Sequence, residues 1–379
     1  MTTTQNRITK KVHNSYIVWF EESNQWVYFE KPAYYIYCLH IKNLPVNSIC
    51  IKTQKKYKLK EELTAIFVTD LIERIKKLSN PGENSDQPDS GLKFTGTDPI
   101  QFHSTHTYKI NNQLIKIWFQ TPLLGYYIHP VFQFLEIKTT ESDSYAEFEV
   151  FNYNQNFILR LRKETEKTWI FKEINGLKRK LFIEISNIIY NKEEKEWMTF
   201  LHASAVSNQN QTILFSSASG SGKSTLSALL YKNGYKMVSD DFVLLDASMK
   251  KAFPFPAAIS IKETAFHLFP NESFADLHYQ GLRNKSVQYL NPGVSGKDWY
   301  KAHKIKSVIF VNYNPQVAFK LSVIPVPEAL KLFFEQATIS GTYENSLRFI
   351  NWFMKTECFT LEYSDNEQAI KEISNLFLN

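Results

Sequence analysis

The stretch "LFSSASGSGKSTLSALL", Leu214–Leu230, places two glycines, a lysine and a Ser-Thr pair, after further serines, between a strand-like apolar start and an apolar run at helical spacing. Those residue types in that order are what a phosphate cradle needs. A helix N-terminus offers unpaired backbone N–H groups and a partial positive charge, and small residues ahead of it let the chain wrap an anion closely. From Ser219 onward, the successive amides of Gly220, Ser221, Gly222 and Lys223 can point inward. Lys223 adds a mobile positive charge for terminal phosphates, Ser224 a hydroxyl for Mg2+, and Thr225 a hydroxyl for the next phosphate. The usual spacing G-x-x-x-x-G-K-[ST] is met except at its first glycine, where Ser217 stands. Serine is small and fits an ordinary β or turn conformation, so the departure is tolerable.

The second chemical feature is "VSDDF", with Asp240 and Asp241 closing a strand. An acid at the end of a strand beside a phosphate cradle is the usual second metal contact. A second carboxylate does more than metal binding requires. It can accept the proton of an attacking hydroxyl. Neighbouring side chains on a strand point to opposite faces, but the twist at a strand end lets both enter one site.

The elements that must position these groups are legible around them. His202–Val206 reads as a strand, Ser207–Gln211 as a hairpin turn and Thr212–Ser216 as the strand feeding the cradle. The helix runs from about Gly222 to Lys232, with Gly234 as its C′ residue. Tyr235–Ser239 is the strand carrying the acids, and "FVLLD" continues as strand. Farther on, "PVPEALKLFFEQAT" (Pro325–Thr338) is an amphipathic helix whose Leu330, Leu332, Phe333 and Phe334 read as core.

The upstream half has a different character. "YIVWFEESNQWVYFE" reads as a hairpin and "YYIYCLHI" as a further strand. Lys60–Leu78 is its clearest helix, with Leu63, Ile66, Phe67, Leu71, Ile75 and Leu78 on one face, acids leading and lysines trailing. Ser79–Gly91 is a polar loop. From Leu92 to about Phe171, short aromatic runs between Asn-Asn and Asn-Gln turns suggest a meander of antiparallel strands. Leu177–Trp197 reads as a helix. The expected division is an α+β domain over 1–190, with loop 79–91 in a substrate-docking region, and a second domain over 191–379.

Composition sets the outer limits. The 379 residues allow two domains with sizeable cores. An aromatic share of 15% argues against disorder. The net charge of +6 is spread along the chain, which suits attraction to a nucleotide but lacks the clustered basic stripe that nucleic acid requires. Cys38, Cys50 and Cys358 have no metal spacing, and their odd number reads as a reduced, cytoplasmic chain. His267, His278 and His303 are too irregularly spaced for a metal site. Trp299 and Tyr300 read as ordinary packing rather than an adenine pocket. No apolar run is long enough to cross a membrane.

"LHASAV", "SGSGKSTL", "NGYKMVSDDFVLL" and "PFPAAISIKETAF" stand in an order and spacing similar to the kinase domain of the HPr kinase/phosphorylase family, with "VQYLNP" and "FTLEYSDNEQAIKEISNLF" after them. The resemblance covers about residues 195–379. It implies a phosphoenolpyruvate-carboxykinase-like P-loop fold with a mixed sheet, and transfer of phosphate from ATP, with Mg2+, to a serine or threonine hydroxyl. By this resemblance Asp240 is the base and Asp241 the metal contact with Ser224, two roles that can exchange. His202 matches a histidine near the catalytic acid, and Arg283 and Lys285 are cations that could neutralise transferring phosphate. The N-terminal half departs from the family. The relatives of similar layout are kinases that act beside peptide-modification genes, so the expected acceptor is a peptide or protein. The aromatic strands of 93–171 are a candidate surface for docking it. A kinase of small metabolites and a nucleotide-sensing module without transfer are the alternatives, and homo-oligomer formation is left open.

Overall fold

The computed structural model describes residues 7–78, 88–89, 94–96, 99–138, 146–163, 165–248, 250–270, 287–334, 337–339 and 341–378. Arg283, Lys285 and His278 lie outside the described residues, as does most of the 79–91 loop. The chain is a mixed α/β protein with an antiparallel sheet at its N-terminus. Strands β1 (Arg7–Val12), β2 (Ser15–Phe20) and β3 (Gln25–Glu30) form that sheet, and the expected hairpin is β2–β3. "YYIYCLHI" is not a strand but lies in helix α1 (Lys31–His40). Pro32 in the first turn sets a helical φ, and Ile36 and Tyr37 turn inward together, so an apolar run without clear alternation resolves as helix.

Helices α2 (Val46–Tyr57) and α3 (Glu61–Leu78) pack on α1. The buried stripe of α3 is Thr64, Val68, Ile72 and Ile75, whereas Leu63 and Ile66 are 64% and 68% exposed and Phe67 is exposed too. The expected apolar face is therefore corrected. Thr64 qualifies for the inner stripe because its hydroxyl donates to the Lys60 carbonyl at 2.7 Å, which leaves a methyl group to pack.

The second sheet has the order β4-β5-β6-β7-β8. Its strands are β4 (Ser104–Ile110), β5 (Gln113–Phe119), β6 (Ala146–Tyr153), β7 (Asn156–Arg162) and β8 (Lys167–Phe171). The two-residue turns are Asn111-Asn112 and Asn154-Gln155, all four at positive φ, as tight hairpins demand. The sheet is not a pure meander: β5 and β6 are parallel, because helix α4 (Pro122–Phe132) crosses between them. Thr121 caps α4 by accepting from the Leu124 N–H. Helix α5 (Ile174–Tyr190) ends earlier than expected, at Asn191 in the left-handed conformation.

The third sheet has ten strands and carries the phosphate-cradle sequence. Its first members are β9 (Trp197–Leu201), β10 (Ala203–Ser207) and β11 (Gln211–Ser216), followed by helix α6 (Lys223–Lys232), β12 (Lys236–Ser239), β13 (Val243–Asp246) and β14 (Lys251–Phe253). A separate ribbon pairs β15 (Ile259–Lys262) with β16 (Val287–Leu290). The chain then returns through β17 (His303–Tyr313), β18 (Phe319–Val323), α7 (Val326–Phe334), β19 (Ala337–Ile339), α8 (Tyr343–Phe353), β20 (Glu357–Tyr363) and α9 (Asn366–Leu378). The sheet is mixed: β17 runs parallel to β11 and β20, and the other pairs are antiparallel.

One core crosses position 190. Phe132 of α4 and Phe182 of α5 interlock with Phe242 and Phe255 at ring distances of 4.9–5.9 Å. The Ala258 N–H also donates to the Val131 carbonyl at 2.9 Å. Trp299 and Tyr300 are buried in this core, as ordinary packing predicts. Among the described residues no helix is long and apolar enough to cross a membrane.

At the start of β17, within the cradle sheet, His303 is 6% exposed and sits between the Ser207 hydroxyl (3.0 Å) and the Lys236 ammonium (3.1 Å). The ammonium donates to Nε2, so Nδ1 carries the proton. Burial, and then Lys236, push the His303 imidazole down to about 4. The unfolded chain protonates near 6.5 while the folded chain does not, so this contribution is complete above about pH 6.5 and is lost as pH falls toward 4. The loss should reach about 3 kcal/mol. Urea unfolding at pH 7 and pH 4.5 should show it, and His303→Gln should shrink the difference by about that amount, leaving the share of His129, which burial also pushes down to about 4.

Candidate functional site

Strand β11 ends at Ser216 inside the sheet, and the chain turns through residues 217–222 before α6 begins. Gly220 and Gly222 have φ of +90° and +97°, where a side chain is strained. A Cβ on Gly222 would come within 3.2 Å of Tyr313 Cβ and 3.3 Å of the Tyr363 hydroxyl. Gly222→Ala should therefore cost about 1–2 kcal/mol of stability, read by urea titration. Ser217 needs no glycine, since it is not at positive φ, and its hydroxyl donates to the Val311 carbonyl of β17 at 2.6 Å. The missing first glycine is thus a serine that ties the loop to the next strand.

Helix α6 opens with Gly222 as N-cap, no side-chain cap and no acid in its first turn. Its first N–H groups are left without a side-chain acceptor, as an anion site requires. The Lys223 side chain lies 5% exposed and donates to the carbonyls of Ser217 (2.6 Å) and Ala218 (3.1 Å). Burial holds its pKa down, while Asp241 and Asp240 work against the shift and Lys262 adds to it. Lys262 is a second cation over the loop, its ammonium 3.7 Å from the position of a Cβ on Gly220.

The two aspartates are unlike. Asp240 is 3% exposed and accepts from the Ser224 hydroxyl (2.9 Å), the Ser204 hydroxyl (2.5 Å) and the Ser260 N–H (3.1 Å). Burial, with Asp241 beside it, pushes its carboxyl up to about 7 against those donors. Asp241 has a φ of +59° and a side chain 50% exposed, and His202 Nδ1 stands 3.9 Å from it. A left-handed non-glycine residue at a cleft is a frequent mark of function.

The fold gathers Ser219, Gly220, Gly222, Lys223, Ser224, Thr225, Asp241 and His202 around one cleft of about 220 Å³. Asp240 stands behind Ser224, and Ser221 turns its hydroxyl into the protein, where it has no hydrogen-bond partner among the described residues. Sequence reasoning missed Ser204, Ser260, Lys262, Tyr313 and Tyr363. Ser260 and Lys262 alternate on β15, a period-two signal that could have been read. Tyr313 and Tyr363 meet only because β17 and β20 end in register.

A second cluster lies on the N-terminal side, where His106 Nδ1 pairs with Glu136 at 2.7 Å and His129 Nδ1 shares a proton with the Tyr108 hydroxyl at 2.9 Å. The two imidazoles are stacked at 4.0 Å and 28°, and one donor atom each of His106, His129 and Glu136 lies within 4.8 Å of the others. No protein-family model matches the chain, and no curated protein matches it in sequence.

Proposed function

We propose that the cleft takes the triphosphate of a nucleotide, ATP, with Mg2+, and that the protein transfers the terminal phosphoryl group to a serine or threonine hydroxyl of a peptide or protein. In this reading β11, the loop and α6 form a P-loop unit on a phosphoenolpyruvate-carboxykinase-like sheet, as in HPr kinase-like proteins. The observation that carries it is the convergence of an uncapped helix N-terminus, Lys223, Ser224 and Asp241 on one cleft, with the buried Asp240 carboxylate hydrogen-bonded behind Ser224. The Ser224 hydroxyl and the Asp240 carboxylate are neighbouring hard oxygen donors, so these two residues would hold Mg2+. When bound, the ion neutralises charge on the β- and γ-phosphates.

Burial favours exchanging the two aspartate roles expected from sequence. Asp240 is closed off by its serine donors and cannot reach an incoming alcohol, whereas Asp241 faces the cleft. Asp241 therefore takes the hydroxyl proton. The freed oxygen forms its bond to the terminal phosphorus while the bond from phosphorus to the bridging oxygen breaks, and that oxygen leaves with the electron pair as part of ADP. The amides of the loop and α6, with Lys223 and Lys262, stabilise the charge that develops. His202 orients Asp241.

Incubation with γ-labelled ATP, Mg2+ and serine-containing peptides, followed by mass spectrometry, tests the reading. Label on a seryl oxygen supports it. Tight MgATP binding with no transfer to any hydroxyl would instead favour a nucleotide sensor.

A further inference from the structure

We propose that His106, His129 and Glu136 form a binding site for a divalent transition-metal ion of the zinc type in the N-terminal half of the chain. The inference is independent of the kinase reading and uses no residue of the phosphate cleft. The three side chains come from three segments that the backbone already fixes. His106 lies on β4 two residues before Tyr108, so both project from one face of the strand. His129 lies on α4, which packs on β4. Glu136 follows the short turn after α4. An antiparallel bridge to Tyr108 holds it against β4, and the Ile137 N–H donates to the Thr107 carbonyl beside it at 2.9 Å.

The donor set fits such an ion. Two imidazole nitrogens with one carboxylate oxygen suit Zn2+ and its neighbours in the first transition series, whereas Mg2+ prefers oxygen alone. One donor atom of each residue lies within 4.8 Å of the others, and His106 Nδ1 and Glu136 Oε1 are already 2.7 Å apart. Donors on one tetrahedral Zn2+ stand about 3.3 Å apart, given metal–ligand distances of about 2.0–2.1 Å. Rotation of the His106 ring and the Glu136 carboxylate, whose side chains are 23% and 35% exposed, covers that difference. The buried Tyr108 hydroxyl engages His129 Nδ1 at 2.9 Å, which leaves Nε2 for the ion and fixes the ring as an outer partner fixes a metal-bound imidazole. Neither His106 Nε2 nor His129 Nε2 has a hydrogen-bond partner among the described residues, so the pairings with Glu136 and Tyr108 use only one nitrogen of each ring. Phe119 backs the His106 ring at 5.9 Å, and the Glu136 side faces water. Three protein donors leave a position for a water ligand, and the bound ion ties α4 and the segment after it to β4.

The test is a calorimetric titration of the full chain, first stripped with a chelator, with Zn2+ in the presence of Mg2+. Wild type should bind one equivalent, and its melting temperature should rise by several degrees. Co2+ in place of Zn2+ should give the visible absorption of an ion bound by nitrogen and oxygen, without the charge-transfer band that ligation by Cys38, Cys50 or Cys358 would add. Tyr108→Phe, which keeps the packing, should weaken binding about 10–100-fold, the usual effect of removing an outer partner. Glu136→Gln and His106→Gln should each weaken it more. In chelator the Glu136→Gln variant should melt close to wild type, because that side chain is at the surface, which separates loss of the site from loss of the fold. Wild type that binds no Zn2+ overturns the proposal. Equal Zn2+ binding by wild type and by the double variant His106→Gln, Glu136→Gln means an adventitious ion only, held elsewhere, and overturns it as well.

Discussion

Lys223→Met should lower phosphoryl transfer by about 10³-fold, the scale of removing one preorganised charge from a site where negative charge develops. The side chain sits 5% exposed at the mouth of α6, with its ammonium turned onto the loop carbonyls of Ser217 and Ala218. In the fold its ammonium serves those two loop carbonyls, a contribution of about 1–3 kcal/mol. Methionine keeps the length and the packing but not the charge, so the melting temperature should fall by only a few degrees while transfer collapses. Steady-state kinetics with the best peptide, beside a thermal scan, separates the two. Comparable losses of stability and activity would recast Lys223 as a structural tie of the loop.

The second large effect concerns the aspartates, whose variants should fail differently. Asp241→Asn should reduce kcat by about 10²–10⁴-fold, the usual contribution of a positioned base, with the affinity for MgATP retained. Asp240→Asn should instead raise the Mg2+ concentration needed for nucleotide binding, because it removes the carboxylate next to Ser224. Burial and Asp241 push Asp240 up to about 7, so a proton competes for that carboxylate below this value. Metal-dependent binding in wild type should accordingly weaken as pH falls through 7 and strengthen above it. Titrating Mg2+ at pH 6 and pH 8 for the three proteins checks both assignments. An Asp240 variant that binds MgATP normally but does not turn over would restore the order expected from sequence.

How far the sequence anticipated the molecule depended on whether the information was local. The turn Gly220–Gly222, the helix behind it and the strand before it follow from backbone conformation and capping, which act within a few residues, and all three were legible. The paired acids were legible as types but not as roles. Only the packing of Ser204 and Ser260 around Asp240 tells the buried carboxylate from the open one, and these serines lie 36 and 20 residues away in the chain. The parallel β5–β6 pair was hidden because α4 is short and apolar on most sides. The stripe of α3 was misread because a threonine with an internal hydrogen bond buries as well as a leucine.

The most direct test of the central claim is a crystal structure with a non-hydrolysable ATP analogue and Mg2+. The account predicts the β- and γ-phosphates on the amides from Gly220 to Thr225, the ion between Ser224 and Asp240, and the Asp241 carboxylate facing the terminal phosphorus. A triphosphate bound away from that turn, or an Asp241 directed out of the cleft with the nucleotide in place, would contradict it.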